Sequence, residues 1–132
     1  MQKPKKHNLT AWEIFNIHKG LESLANLKLD PEVAWDTVQN LQSTEPVAKR
    51  YEAASRQAFS LYAQDQEYNG EKIQVIPPSK QEQYDKDMEG IKEKQESVSL
   101  VPIPFNALKI KDGEEYKVHT GILRSILPIV KK

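Results

Sequence analysis

Cysteine is missing altogether from the 132-residue sequence. Its absence rules out disulfides, thiolate metal ligands and thiol nucleophiles, and leaves packing as the source of stability. Glycine is scarce, at five residues, and none of them belongs to a phosphate-cradling loop of the Rossmann or P-loop kind. No Gly-x-Ser-x-Gly nucleophile elbow is present either. No apolar run approaches the roughly 20 residues of a membrane helix, and the basic start MQKPKK is followed by no apolar stretch of signal-peptide length. A soluble chain not exported by that route is expected. Nineteen basic and nineteen acidic side chains cancel, so there is no global field to draw the chain onto nucleic acid or an anionic membrane.

The residues that are present carry little chemistry. His7, His18 and His119 lie far apart with no second ligand at metal spacing, and read as surface or hydrogen-bonded histidines. The pairs Asp85 with Glu89 and Glu114 with Glu115 read as solvated surface charge, because acid–base work needs burial that separates two pKa values. No catalytic, metal-binding or cofactor-binding residue is expected, and an enzyme would require the fold to assemble groups that the sequence scatters.

Periodicity gives the architecture. Thr10 and Glu13 have capping-box spacing, with Leu9 and Ile14 at the staple positions, so a helix should begin at Ala11 and bury Ile14, Ile17, Leu21 and Leu24. Asp30-Pro31 signals a second helix, completing a hairpin. Its face is expected to be Ala34, Val38 and Leu41, then Val47, Tyr51, Ala54, Ala58 and Leu61, running as one long helix kinked at Pro46 to about Asp65. EYNGEK ends it with a turn-forming Asn-Gly pair, and KIQVIPP is a short extended piece. Lys3, Lys5 and Lys6 mark residues 1–9 as a flexible basic arm ahead of a single domain over 10–132.

One stretch suggests calcium. In DKDMEGIKEKQE, the residues Asp85, Asp87, Glu89, Gly90 and Glu96 fit the ligand grid of an EF-hand loop. The flanks contradict it, since too few residues separate Pro78 from Asp85 for an entering helix and the following SVSLVP is strand-like. Tyr84, Met88 and Ile91 also keep helical spacing through the supposed loop, so a polar third helix, opened by a Ser79–Glu82 capping box, is expected instead. Beyond it, SVSLVPIPF reads as a strand that Pro102 and Pro104 confine to a sheet edge. ALKIKDGEEYKVH reads as a hairpin about Asp112-Gly113, with Leu108 and Ile110 facing Tyr116 and Val118, and Thr120 could cap a last short helix ending before Pro128. The fold class is therefore α+β: a helical hairpin, a polar third helix and a small C-terminal antiparallel sheet.

A further pattern runs through the chain: Leu24, Leu27 and Leu29 at a turn, a helix with Tyr51, Glu52 and Arg56, then Tyr62 and Gly70, a polar helix with Tyr84, then Val98, Leu108, Ile110 and the closing ILRSILPIV. Over residues 20–130 this order resembles a broad group of small uncharacterised proteins encoded by tailed bacteriophages and prophages. The resemblance implies a non-enzymatic protein-interaction module, either a minor virion component or an assembly factor. The alternative is a small phage protein that binds and inhibits a host defence or replication protein. It implies residence in the host cytoplasm or the particle, and a protein partner, itself included, with no nucleic acid and no membrane. The expected interface residues are Leu100, Ile103 and Phe105 on the edge strand, followed by Trp12 and Trp35, which fit the apolar stripes least well.

Overall fold

Thr10 and Glu13 do close a capping box. The threonine hydroxyl accepts the Glu13 N–H at 3.1 Å, and the Glu13 carboxylate accepts the Thr10 N–H at 3.1 Å. Helix α1, Ala11–Ala25, therefore starts where the spacing places it, and Ile14, Ile17, Leu21 and Leu24 are buried along one face. The computed structural model of the protein describes residues 3–104 and 126–131. Before α1 comes strand β1, Lys5–Thr10. After it, α2 occupies Pro31–Tyr62 and runs without interruption through Pro46. Thirty-two residues at the helical rise make α2 about 48 Å long.

Past α2, strands β2, Gln64–Tyr68, and β3, Glu71–Val75, form an antiparallel hairpin. Its two-residue loop, Asn69 and Gly70, has φ of 50° and 81°, the positive-φ pair of a type I′ turn that matches the twist of the flanking strands. Helix α3, Pro78–Lys92, follows, then β4, Gln95–Leu100, and the two-residue β5, Ile103–Pro104. A single 3₁₀ turn, Leu127–Ile129, and β6, Val130–Lys131, complete the described chain. The α+β class holds, with three helices and small sheets among the described residues.

The sheets depart from expectation in composition. β4 pairs antiparallel with β1, from Lys5 opposite Leu100 to Thr10 opposite Gln95, so the sheet joins an N-terminal strand to the C-terminal third rather than lying within that third. Residues 5–9 are consequently strand and not a flexible arm: their backbone groups satisfy β4, and Leu9 packs against the core. β5 pairs with β6, and in parallel. Pro102 lies outside both strands, in agreement with its inability to donate to a ladder. Pro128 sits inside the 3₁₀ turn. The hairpin expected about Asp112-Gly113 and the Thr120 cap lie outside the described residues.

Two helix starts also differ. Asp30 flanks α2 but its side chain makes no capping hydrogen bond; Pro31, which has no N–H to satisfy, opens the helix. α3 begins at Pro78 after an extended Pro77, placing Ser79 and Glu82 inside the helix rather than at a capping box. The helix then continues through Lys92, so Asp85, Asp87, Glu89 and Gly90 project from helical backbone and Glu96 lies on β4. Such backbone does not wrap an ion as a calcium loop does.

The core lies where α1, the middle of α2 and β4 meet. Ile14, Ile17, Leu21, Leu24, Val33, Val47, Tyr51, Val98, Leu100, Ile103, Ile126 and Ile129 form one buried cluster, with Ile91 of α3 partly buried against it. Along the first half of α2, however, the buried positions are Val33, Asp36, Thr37, Asn40 and Thr44, while Val38 is exposed. The inward face is rotated from the expected Ala34–Val38–Leu41 line because these polar groups find partners inside. Asn40 bridges to the segment between β4 and β5, its Nδ2 donating to the Val101 carbonyl at 2.9 Å and its Oδ1 accepting the Val101 N–H at 2.7 Å. Thr37 donates to the Val33 carbonyl at 2.7 Å and Thr44 to that of Asn40 at 3.0 Å. Leu61, expected on the buried face, is exposed at the other end of the helix.

Candidate interaction surface

Three aromatic rings gather where α1 starts against the second half of α2. Trp12 and Phe15, three residues apart on α1, stack with centroids 6.1 Å apart. Tyr51 of α2 tilts against both, at 5.7 Å from Trp12 and 4.7 Å from Phe15. The capping box fixes α1 at this end, so the indole is carried on a rigid turn. Tyr51 is buried, and desolvation pushes its phenol pKa up. Trp12, by contrast, remains 41% exposed. Lys92 at the end of α3 holds its ammonium 5.0 Å from the Trp12 ring, and Lys19 lies 5.4 Å from that of Phe15, both within cation–π range. Lys19 also pairs with Glu52 at 3.3 Å and Glu22 at 3.4 Å, and Glu52, then Glu22, push its pKa up.

Beside Tyr51 opens a cleft of about 410 Å³, between α2, the end of α3 and β4. Ala11, Val47, Tyr51 and Ile91 make its apolar wall, and Arg50, Lys94 and Glu96 stand at its polar side. Arg50 pairs with Glu96 at 3.3 Å. With Lys92 and Lys94 added, the rim carries more positive than negative charge. An apolar pocket bordered by an aromatic and by cations suits an apolar side chain that is accompanied by a carboxylate.

The remaining candidates fall elsewhere. Leu100 and Ile103 have no exposed surface and belong to the core. Their side chains cannot meet a partner while the fold is intact, so the edge-strand interface expected from Pro102 and Pro104 is corrected at these two positions. Phe105 lies outside the described residues. Trp35 is 67% exposed on α2 with Val38 exposed one turn on. It stands sixteen residues along α2 from Tyr51, about 24 Å at the helical rise, so the structure does not bring the two tryptophans together.

His18 does pair with Glu22, as a spacing of four residues on one helix face suggests, but its ring is mostly covered rather than exposed. Its Nδ1 lies 2.7 Å from Thr44 Oγ1. The same hydroxyl lies 3.0 Å from the Asn40 carbonyl and 3.3 Å from that of Leu41, so the ring is tied to the α2 backbone through Thr44. Glu22 is 3.8 Å from Nε2. Glu82, Asp85 and Asp87 of α3 pair within the helix or with α2. Asp85 accepts from Gln81 at 2.9 Å, and Tyr62 donates to Asp87 at 2.5 Å, a bond that raises the tyrosine pKa. Glu93 has its pKa raised by Glu89, one turn before it. Among the described residues no group of three or more His, Asp or Glu side chains is arranged to hold a metal ion, and no helix is long and apolar enough to cross a membrane.

Two features carry little signal in the sequence. The buried polar line of Thr37, Asn40 and Thr44 has a faint signal, since these fall at intervals of three and four on an otherwise polar helix. The β2–β3 hairpin was half visible: Asn69-Gly70 stands between two five-residue segments, but QDQEY has no apolar alternation to mark it as strand. Comparison of the chain with protein-family models, with curated proteins and with solved structures finds no match.

Proposed function

We propose that this protein is a non-enzymatic protein-interaction module whose partner docks at Trp12 and the adjoining cleft. One observation carries the reading: a partly exposed indole, held by Phe15 and Tyr51 and crossed by Lys92, stands next to a cleft of about 410 Å³ with an apolar wall. Rigid aromatics beside a pocket supply large contact area at little entropic cost and are enriched among residues that dominate binding energy. Lys92, Lys94 and Arg50 favour a partner segment that combines an apolar side chain with acidic neighbours. The resemblance to tailed-phage and prophage proteins makes an assembly factor or minor virion component the first identity for such a module. Inhibition of a host protein by the same surface is the other.

Affinity capture from infected and uninfected bacterial lysates tests this. The wild-type chain should retain one protein at near-stoichiometric amount, and Trp12→Ala should weaken that capture by about 30-fold or more. Whether the retained protein is a virion component or a host protein assigns the identity. Capture that is unchanged in a folded Trp12→Ala variant, or no stoichiometric partner in either lysate, overturns the proposal.

A further inference from the structure

Among the described residues the β2–β3 hairpin pairs with no further strand, and it leaves Tyr68 and Ile73 exposed. Its register places Tyr68, Ile73 and Val75 on one face with Gln64, Gln66 and Glu71, and Asp65, Glu67, Lys72 and Gln74 on the other. Tyr68 is 64% and Ile73 40% exposed. A two-stranded hairpin is marginal in water by itself, and further strands on the same sheet are the usual remedy. The turn makes Tyr68 and Glu71 a hydrogen-bonded pair, so by alternation Gln66–Ile73 and Gln64–Val75 are bonded as well. The backbone groups of Lys72 and Gln74 on β3, and of Asp65 and Glu67 on β2, therefore point outward.

Charge distinguishes the two edges. A symmetric antiparallel pairing that keeps the apolar faces together can centre on Asp65, Gln66 or Glu67 of β2. The first sets Asp65 against itself, the last sets Glu67 against itself, and the middle one opposes Asp65 and Glu67 twice. Every such register brings carboxylates face to face, which is destabilising. β3 opposes like charges only when centred on Lys72, and two other registers are free of them. Centred on Ile73, it opposes Lys72 to Gln74 and Glu71 to Val75; centred on Gln74, it opposes Ile73 to Val75. Neither register meets like charges, and both extend the Tyr68–Ile73–Val75 face across the junction.

We propose that two copies of this chain associate through their β3 edges, forming a four-stranded antiparallel sheet in the order β2–β3–β3–β2. The self-complementarity of β3 selects a second copy over an unrelated strand, because a twofold contact uses the same patch twice. The pairing surface is small, so the dimer is weak and concentration-dependent. It uses a surface separate from Trp12, and Trp12→Ala should leave it intact.

Sedimentation velocity from about 5 μM to about 1 mM reads the association. The wild-type mass should climb from 15.1 kDa towards twice that value. Gln74→Pro removes an outward N–H without touching the β2–β3 ladder, and Ile73→Lys puts charge at the junction; each should weaken dimerisation by about 30-fold or more. Glu67→Pro, on the outward edge of β2, should not. Circular dichroism confirms that each variant is folded. A wild-type chain that stays at 15.1 kDa throughout, a dimer unaffected by both β3 substitutions, a dimer lost equally with Glu67→Pro, or a monomer that instead takes up a foreign strand at β3 overturns the proposal.

Discussion

The body built from α1, α2 and the β1–β4 sheet and the hairpin of β2 and β3 use opposite means of holding a backbone in place. In the body, side chains from distant parts of the sequence fix one another: Leu24, Val47 and Leu100 share one cluster, and Asn40 grips Val101 across sixty-one residues. In the hairpin, nearly every residue is exposed and the conformation rests on the Asn69-Gly70 turn and the ladder it starts. Long-range contacts make the first cooperative, whereas the second can open locally with little effect on the rest. The difference teaches where to look for a partner. A region that completes itself has spare surface at its rim, as at Trp12, while one that pairs with no further strand among the described residues offers an edge.

Disabling the contact between Asn40 and Val101 should break the comparison most severely. Asn40→Ala removes two hydrogen bonds and leaves the Val101 N–H and carbonyl buried without partners, so chemical denaturation should show a loss of about 2–5 kcal/mol. Thr37, Thr44 and the cluster below them should all report the same transition. Loss of less than about 0.5 kcal/mol would mean that Val101 finds water instead.

Gly70→Ala acts on the other region. At φ of 81° a side chain is strained, although nothing lies near enough to clash with an added methyl. The expected cost is about 1 kcal/mol, confined to the hairpin. Amide exchange should quicken across Gln64–Val75 while α1 and α2 keep their protection and the global unfolding midpoint hardly moves. A global shift as large as that of Asn40→Ala would show the hairpin to be part of the cooperative core.

The smallest effect belongs to Asp36, at the polar edge of the body. Desolvation, then Glu32, raises its pKa above the unfolded value. The folded state thus holds the proton more tightly, and the associated stability is complete below the unfolded pKa and lost as pH rises through the folded one. Asp36→Asn should therefore raise the melting temperature slightly at neutral pH and not at all in acid. An equal shift at both would assign the gain to something other than charge.

Much of this could be read from single segments. The start of α1 was legible because Thr10 and Glu13 bond to each other's backbone within one turn, and its buried face because Ile14, Ile17, Leu21 and Leu24 repeat with the helical period. The α3 stripe was legible for the same reason, and it decided between helix and calcium loop. The first half of α2 was not legible, since Thr37, Asn40 and Thr44 turn inward only where Val101 and His18 wait for them. Neither was the fate of Leu100 and Ile103, which suit an exposed edge as readily as a core.

By itself the sequence determined the local terms: where helices begin, which faces are apolar, where the Asn69-Gly70 turn falls, and that cysteine chemistry is excluded. Tertiary structure alone decided that the N-terminal strand closes on β4, that a polar line is buried inside the helical pair, and that Trp12 rather than Leu100 reaches the surface. The division has a physical cause. Caps, turns and periodicity depend on neighbours within about four residues and are present in any stretch of chain. Strand partners and buried hydrogen bonds depend on groups tens of residues away, whose meeting is settled only when the whole chain minimises its unpaired polar surface.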